Sequence, residues 1–204
     1  MRKFRGGVIK MHLTLYLWTL GLSVLAVNLV NIFWIPSDYA LWQLLLFGIL
    51  NPIAIFGIDA LVATVIHKMP AKYFSPYNKA YKNFKWEKKF YKAIKIVKWK
   101  DYIPDTGKMT TGLSKSEIAS TQTDYLYHFL VETCYAETIH IWMALVGLIN
   151  ILIMPKDLFL PMMLPFFIIN FILNIPPILI QRNNRPKLLH IYEIQCRKEN
   201  KNPL

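Results

Sequence analysis

The stretch MHLTLYLWTLGLSVLAVNLVNIFW, residues 11–34, contains no Asp, Glu, Lys or Arg in 24 positions. At about 1.5 Å of rise per residue, a helix of this length exceeds the ~30 Å hydrocarbon core of a bilayer. The run is too long for the apolar region of a typical signal peptide, and no small-residue cleavage site follows it. We therefore predict an uncleaved first transmembrane helix over residues 11–34.

Three further apolar runs follow in a chain of 204 residues that is 54% hydrophobic. A soluble domain of this length would be less apolar, and polar residues would interrupt its apolar stretches periodically. Asp59 lies inside the second run, where a carboxylate is either functional by default or the partner of a neighbouring Asn or Thr. We predict one all-α integral membrane domain over residues 1–204, with transmembrane helices at 11–34, 40–66, 137–154 and 158–180, a cytosolic loop at 67–124 and a cytosolic tail at 181–204.

The basic residues predict how these four helices are oriented. Of the 24 Lys and Arg residues, 23 lie on one side of the four-helix layout, and only Lys156 lies on the other. The positive-inside rule then makes both termini and the large loop cytosolic. Because the net charge of +12 comes from residues that flank apolar runs, we attribute it to membrane lipids as partners and expect no nucleic-acid partner.

The cytosolic loop contains the lysine-rich segment KWEKKFYKAIKIVKW, residues 85–99. Phe90, Ile94 and Val97 recur in it at helical spacing, and lysines occupy another side. This pattern predicts a cytosolic amphipathic helix that lies in the plane of the membrane surface, with its lysines toward anionic headgroups. An alternative is that the segment also recruits an acidic partner or substrate, such as an acyl carrier.

The sequence VETCYAETIHIW, residues 131–142, carries the strongest candidate for chemistry. On a helix, Glu132, Glu137 and His140 fall within one sector of about 140°. Such groups are costly at membrane depth unless they meet partners or water, and a histidine oriented by a glutamate is a usable general base. We predict that His140, Glu137 and Glu132 are catalytic. The alternative is a set of interfacial residues that hydrogen-bond within the helix bundle.

The sequence NIPPILIQRNNRPKLL, residues 174–189, places two prolines in an apolar run and arginines at its end. Proline frees a backbone carbonyl of the preceding turn, which an amide side chain can satisfy. Arginine is a planar donor suited to phosphate or carboxylate, although a positive stop signal explains it as well. The predicted substrate-binding residues are Arg182, Arg185, Asn174, Gln181 and Asn184.

Several other kinds of site are disfavoured by the residue spacing. The five histidines form no HExxH or HxxHH pattern, and the two cysteines have no zinc-ligand spacing. Neither a GxSxG motif nor a glycine-rich phosphate loop occurs. We therefore predict no metal site and no tightly bound cofactor.

Three stretches, beginning at residues 70, 132 and 174, together resemble the bacterial glycosyl-diaponeurosporenoate acyltransferases, small membrane proteins of carotenoid-pigment synthesis. The likeness begins at the second helix, so the first helix is an addition to the pattern, and Tyr135 stands where a basic residue is expected. The positions that carry the resemblance are Glu132, Thr133, Ala136, Glu137, His140, Asn174, Pro176, Gln181, Arg182, Asn184, Arg185, Pro186 and Leu188.

The resemblance implies a multi-pass enzyme of the bacterial cell membrane that moves a fatty acyl group from a thioester to a hydroxyl of a lipid or glycolipid. Acyl-coenzyme A or an acyl carrier would be its co-substrate. In this interpretation His140 is the general base, Glu137 or Glu132 orients it, and the arginines hold the phosphate of the donor. Two alternatives remain open. One is a small membrane reductase or methyltransferase with a cytosolic cofactor site, and the other is a non-enzymatic lipid-binding accessory protein.

Overall fold

The computed structural model describes residues 2–104, 118–152 and 155–203. Within these residues the chain forms helices and turns and no strand. Short 3₁₀ turns and one π-helical turn, Phe159–Met163, connect the α-helices. The α-helices are α1 (Arg2–Phe33), α2 (Leu41–His67), α3 (Glu87–Ala93), α4 (Ile96–Trp99), α5 (Thr123–Val146) and α6 (Leu164–Lys198).

Three helical stretches are long and apolar enough to cross a membrane. They are Leu41–His67, Thr123–Ile149 and Lys156–Lys198. The apolar part of α1, Leu17–Phe33, is shorter by the same measure. The chain thus has the all-helical fold of a membrane protein, while the fourth span and the cytosolic termini stay predictions.

Two of the long helices extend beyond the predicted transmembrane segments. The helix α5 begins at Thr123, ahead of the segment at 137–154, and α6 continues to Lys198, past the segment at 158–180. The reason is that α6 keeps a buried face beyond the apolar run, where Leu188, Tyr192 and Cys196 pack against α5. The apolar run stops where the helix would leave the membrane. The helix itself continues for as long as one of its faces is packed against a neighbouring helix.

The lysine-rich segment also differs from its prediction. It forms two short helices, α3 and α4, because Lys95 between them adopts the left-handed conformation (φ 52°) and interrupts the helical repeat. Its buried side chains are Glu87, Tyr91 and Ile96, whereas Val97 is 63% exposed. The single amphipathic helix expected from the spacing of Phe90, Ile94 and Val97 is therefore absent from these residues.

The chain was predicted as one membrane domain, and its backbone contacts group it into two compact units. Unit 1 comprises Met1–Val65 and His140–Ile175, and unit 2 comprises Ile66–Ile139 and Pro176–Leu204. Each has an apolar core of its own. The core of unit 1 contains Leu44, Ile55, Leu158, Met162, Met163 and Phe166, and a core of unit 2 contains Leu126, Leu130, Leu188, Tyr192 and Cys196.

Asparagine side chains bind carbonyl oxygens that lie four residues before prolines. Pro186 has no N–H to donate to the carbonyl of Arg182, and Asn83 Nδ2 donates to that oxygen at 3.0 Å. The helix therefore continues through the proline without an unsatisfied carbonyl at this position. The same arrangement joins Asn31 to the carbonyl of Pro161, before Pro165 (2.7 Å), and Asn28 to that of Gly48, before Pro52 (3.4 Å).

Asn83→Ala is expected to lower the free energy of unfolding by ~1–3 kcal/mol, because it leaves the Arg182 carbonyl without a donor. In a Pro186→Ala background the new N–H can donate to this oxygen, so the same change should cost well under half as much. Unfolding of the full chain in detergent micelles, followed by helix circular dichroism, measures both values. Equal costs in the two backgrounds would contradict the assignment, and Asn202→Ala on the exposed tail is the control.

Candidate functional site

Four charged side chains of unit 2 form one buried cluster, which we call the arginine–glutamate quartet. Arg182 binds Glu87 through two parallel contacts, Nε–Oε2 (3.0 Å) and Nη2–Oε1 (2.6 Å). Its Nη1 donates to Oε1 of Glu137 at 2.6 Å, and Nη1 of Arg185 lies 2.6 Å from the other oxygen of Glu137. Two positive and two negative charges cancel, which is what allows them to be buried together.

Arg182 has no donor left for a ligand in this arrangement. A guanidinium carries five N–H groups. Three are used by Glu87 and Glu137, and the other two contacts are to the carbonyls of Ala80 (3.4 Å) and Lys82 (3.0 Å). The expectation that Arg182 holds an anion therefore differs from what it does here, since an anion would have to displace a carboxylate.

Arg185 directs four N–H groups at protein acceptors, including one at Glu137, and it is only 2% exposed. Its Nε donates to the hydroxyl of Thr133 at 2.9 Å, and its Nη2 donates to the carbonyl of Thr133 at 2.8 Å. Its Nη1 also donates to the carbonyl of Tyr81 at 3.1 Å, and its guanidinium lies over the Tyr81 ring. Arg185 thus joins α6 to α5 and to the loop before α3, instead of facing a free binding surface.

Glu87 is the member of the quartet that sequence reasoning missed. Burial acts to raise the pKa of Glu87, but hydrogen bonds from Arg182, from the Tyr91 hydroxyl and from the Phe84 N–H outweigh it, so the net pKa is lowered. A lowered folded-state pKa stabilises the fold at neutral pH, and this contribution is lost as the pH falls through that value. The available signal was that Glu87 is the only acidic residue between positions 67 and 100.

His140 lies in unit 1 and is held by an asparagine. Its Nδ1 is 2.8 Å from Oδ1 of Asn174, which is buried. Nδ2 of Asn174 lies 3.0 Å from the backbone carbonyl of Asn170 and 3.1 Å from its side-chain oxygen. Because a carbonyl can only accept, the amide nitrogen of Asn174 must face Asn170, and its oxygen must face His140.

This direction determines the protonation of the neutral histidine ring. Oδ1 of Asn174 can only accept, so Nδ1 of His140 carries the proton and Nε2 keeps its lone pair. Nδ2 of Asn170 in turn donates to the carbonyl of Met143 at 2.9 Å, which orients the second amide in the same sense. The chain of hydrogen bonds prepares Nε2 of His140 to accept a proton.

The expected partner of His140 was a carboxylate, and the structure has an amide there. Glu137 is bound by the two arginines, and Oε2 of Glu132 lies 3.7 Å from Nε2 of His67. The glutamates were predicted as partners because they share a face of α5 with His140. Positions on one helix do not show which side chains a second helix places against that face. The actual partner, Asn174, is one of the predicted binding residues and comes from α6.

The other predicted site residues are less buried, and their polar contacts are longer than those of the quartet. Glu132 is half-buried, and the His67 ring beside it stacks on Tyr135 at 5.4 Å between ring centroids. Gln181 and Asn184 are half-buried on α6, and Asn184 Oδ1 accepts from Asn183 at 3.4 Å. In the described parts of the chain, no three His, Cys, Asp or Glu side chains are arranged to hold a metal ion.

Comparison with known proteins identifies the family of the chain. The family model for glycosyl-4,4'-diaponeurosporenoate acyltransferase matches residues 71–194, which is more than half of the chain. This range includes His140, Asn174 and the whole arginine–glutamate quartet. The protein is thus a membrane protein of an acyltransferase class. It belongs to the glycosyl-4,4'-diaponeurosporenoate acyltransferase family, which confirms the resemblance inferred from the sequence.

Two relatives carry the name glycosyl-4,4'-diaponeurosporenoate acyltransferase. The one from Staphylococcus haemolyticus (strain JCSC1435) is 25% identical over 166 residues, covering 78% of this chain and 93% of the relative. The one from Staphylococcus aureus (strain Newman) is 30% identical over 143 residues, covering 67% of this chain and 82% of the relative. No solved structure matches the chain significantly. The names of these relatives support an acyltransferase function.

Proposed function

We propose that this protein transfers a fatty acyl group from a thioester donor to a hydroxyl of a glycolipid at the cytosolic surface of the membrane. The observation that carries the proposal is the hydrogen-bond chain from Met143 through Asn170 and Asn174 to His140. It leaves Nε2 of a neutral histidine as a base of fixed direction. Acyl transfer to a hydroxyl requires such a base to remove the hydroxyl proton.

In the proposed reaction the proton of the acceptor hydroxyl moves to Nε2 of His140 as the oxygen attacks the thioester carbon. The tetrahedral intermediate then expels the thiolate, which takes the same proton back from the imidazolium. The products are an ester and a free thiol, so no oxidant or reductant is needed. Oδ1 of Asn174 accepts from Nδ1–H throughout and stabilises the ring when it is positively charged.

The donor in this proposal is acyl-coenzyme A or an acidic acyl carrier, used as a co-substrate. Arg182 and Arg185 were predicted to bind its phosphate, but both guanidiniums are engaged inside the quartet. The lysines on and before α3 and α4 are exposed and can take over that part. These lysines are Lys82, Lys85, Lys88, Lys89, Lys92, Lys95 and Lys98.

The membrane arrangement in this proposal is multi-pass, with α1 as a fourth span and both termini cytosolic. Aromatic side chains on the lysine-rich segment then meet the bilayer surface. Phe84 is 63% exposed and Trp86 is 59% exposed, with their rings stacked 6.2 Å apart between centroids. Exposed aromatic rings beside lysines favour the interface of an anionic membrane. The segment would therefore anchor this surface through two short helices instead of one.

The acceptor in this proposal is a glycosylated apolar lipid, because the relatives are named for a glycosyl-4,4'-diaponeurosporenoate. The full chain, reconstituted in vesicles that contain one-third anionic lipid, is supplied with ¹⁴C-labelled long-chain acyl-coenzyme A. Glycosyl-4,4'-diaponeurosporenoate and a glucosyl diacylglycerol are tested as acceptors in parallel. We expect labelled product whose mass exceeds that of the acceptor by one acyl group less one hydrogen.

The same experiment separates the rival functions. Protein-free vesicles control for spontaneous transfer, and acyl carrier protein loaded with the same chain tests the second donor. A product changed by two hydrogens or by one methyl group would replace the proposal with a reductase or a methyltransferase. Binding of the glycolipid without any ester, with both donors present, would indicate an accessory lipid-binding protein.

A further inference from the structure

Unit 2 contains a cavity that the reaction described above does not use. Its volume is about 400 Å³, which falls in the range of small-molecule sites. One wall is a face of α5, because Thr123, Tyr127 and Val131 recur there every four residues. A second wall comes from Tyr192 and Cys196 on α6. The lining includes no member of the quartet, so the cavity is a separate feature of this unit.

The chain after α6 folds back and completes the cavity. Asn200 adopts the left-handed conformation (φ 54°), and its N–H donates to the carbonyl of Arg197 at 3.3 Å. The N–H of Lys201 donates to the carbonyl of Cys196 at 2.9 Å. These are the two hydrogen bonds with which a Schellman motif ends a helix. The motif turns the tail toward the start of α5, where Lys201 and Asn202 become part of the lining.

The charges around the cavity disfavour an anionic ligand. Nζ of Lys201 lies 2.8 Å from Oε2 of Glu199 and donates to Oγ1 of Thr123 at 3.0 Å. The positive charge of this lysine is therefore already paired, and Asp124 adds a further carboxylate to the lining. A phosphate in the cavity would meet two carboxylates and one lysine, which is an unfavourable electrostatic match.

The remaining polar side chains suit a ligand with several hydroxyl groups. Asp124, His128 and Asn202 line the cavity, are exposed and have no hydrogen bond to a described residue. A carboxylate accepts, whereas an imidazole and an amide each donate and accept, and hydroxyl groups can do both. The half-buried ring of Tyr127 and the side chain of Val131 add apolar surface, which suits the C–H face of a sugar ring.

A flat aromatic ligand, such as a nucleobase, finds less to bind in this cavity. It would need an open aromatic face or a slot between two rings. The rings of Tyr127 and Tyr192 already pack against each other, 5.7 Å apart between centroids and tilted by 39°, and Tyr192 is 2% exposed. The lining therefore favours a sugar over both a phosphate and a nucleobase.

The elements that form the cavity favour a ligand at the membrane surface. The helix α2 ends at His67, and Ala71 lines the cavity four residues later. Thr123, on the lining too, is the first residue of α5. Both helices are long and apolar enough to cross a membrane, and helices that cross a bilayer end in its headgroup region. A ligand here would be a lipid headgroup instead of an acyl chain.

We propose that this cavity of unit 2 binds the sugar headgroup of a glycolipid. Asp124, His128 and Asn202 would hold its hydroxyl groups, and Tyr127 would contact its ring. The inference rests on the proposed function for the role of this glycolipid as acyl acceptor. Binding of the sugar is a property of unit 2 and can be measured without any acyl transfer.

The binding test uses the full chain in lipid nanodiscs that contain no glycolipid, with methyl β-D-glucoside as the probe. Saturation-transfer NMR measures its Kd. Ala71→Trp places a large ring at an exposed position of the lining and should abolish binding. Asp124→Asn replaces a charged acceptor by a neutral one of the same shape and should raise Kd about fivefold. The two variants act independently, so either one tests the proposal if the other does not fold.

Ala93→Trp and Asp101→Asn are the matched controls. Both positions are exposed and lie outside the lining of the cavity, so Kd should stay within about twofold of wild type. Absence of glucoside binding to the wild-type protein would overturn the proposal, as would equal Kd values in wild type and both cavity variants. Inorganic phosphate or choline that displaces the glucoside at equal concentration would also overturn it, because the cavity would then be an ion site.

The transfer assay separates this inference from the proposed function. With glucosyl diacylglycerol as acceptor, Asp124→Asn should raise KM for the glycolipid about fivefold and leave kcat within about twofold of wild type. Ester formation with an unchanged KM would overturn the role of the cavity while the acyltransferase function stands. If no ester forms, the proposed function fails, and the Kd values in nanodiscs still decide whether the cavity binds a sugar.

Discussion

Replacing His140 by glutamine is expected to lower kcat for acyl transfer by about 10²–10⁴-fold, the range that general-base catalysis contributes. Glutamine keeps a polar group of similar size that can still bond to Asn174, but it cannot accept a proton at neutral pH. The loss should therefore appear in kcat, while KM for the acyl donor changes little. Initial rates with the labelled donor in reconstituted vesicles measure both parameters.

His190→Gln is the matched control for this experiment. His190 lies on α6, is exposed and takes no part in the chain of hydrogen bonds to His140. It should leave kcat within about twofold of wild type. Full transfer activity in His140→Gln would show that another group removes the hydroxyl proton, and the mechanism would have to be abandoned even if the acyltransferase function stood.

Arg185→Met is expected to lower the free energy of unfolding by ~3–5 kcal/mol, because it removes one partner of a buried ion pair. Glu137, which is 2% exposed, would lose one of its two arginines. The carbonyls of Thr133 and Tyr81 would lose their donor at the same time. Methionine has a similar length and no charge, so the loss reports the polar contacts more than a cavity.

A double-mutant cycle with Glu137→Gln measures how much of this loss in unfolding free energy comes from the charge of Glu137. Neutralising Glu137 in the Arg185→Met background should recover at least ~1 kcal/mol, since the uncompensated buried charge disappears. Lys187→Met, an exposed basic residue on the same helix, is the control and should change stability by less than ~0.5 kcal/mol. Additive effects of the two quartet substitutions would mean that Glu137 and Arg185 do not interact as the 2.6 Å contact indicates.

The quartet also shows that charged residues selected as site candidates can neutralise one another. Glu137 was selected because charged groups at membrane depth are costly, and Arg182 and Arg185 were selected because a guanidinium is suited to bind phosphate or carboxylate. Charged side chains can also be buried when opposite charges lie beside them. Glu87 supplies one of the two negative charges that balance the two arginines. A lone glutamate among lysines gives no indication in the sequence that its partner lies 95 residues away on another helix.

The sequence by itself determined the class of this protein and where its long helices lie, because bilayer thickness and the cost of charge act on consecutive residues. It also determined membership of the family, since the two motifs are short and specific. Tertiary structure decided which groups meet. His140 is held by Asn174, which contacts Asn170, and the arginines form ion pairs with glutamates. These partners come from different helices, and spacing along one helix cannot specify the side chains that a second helix brings to it.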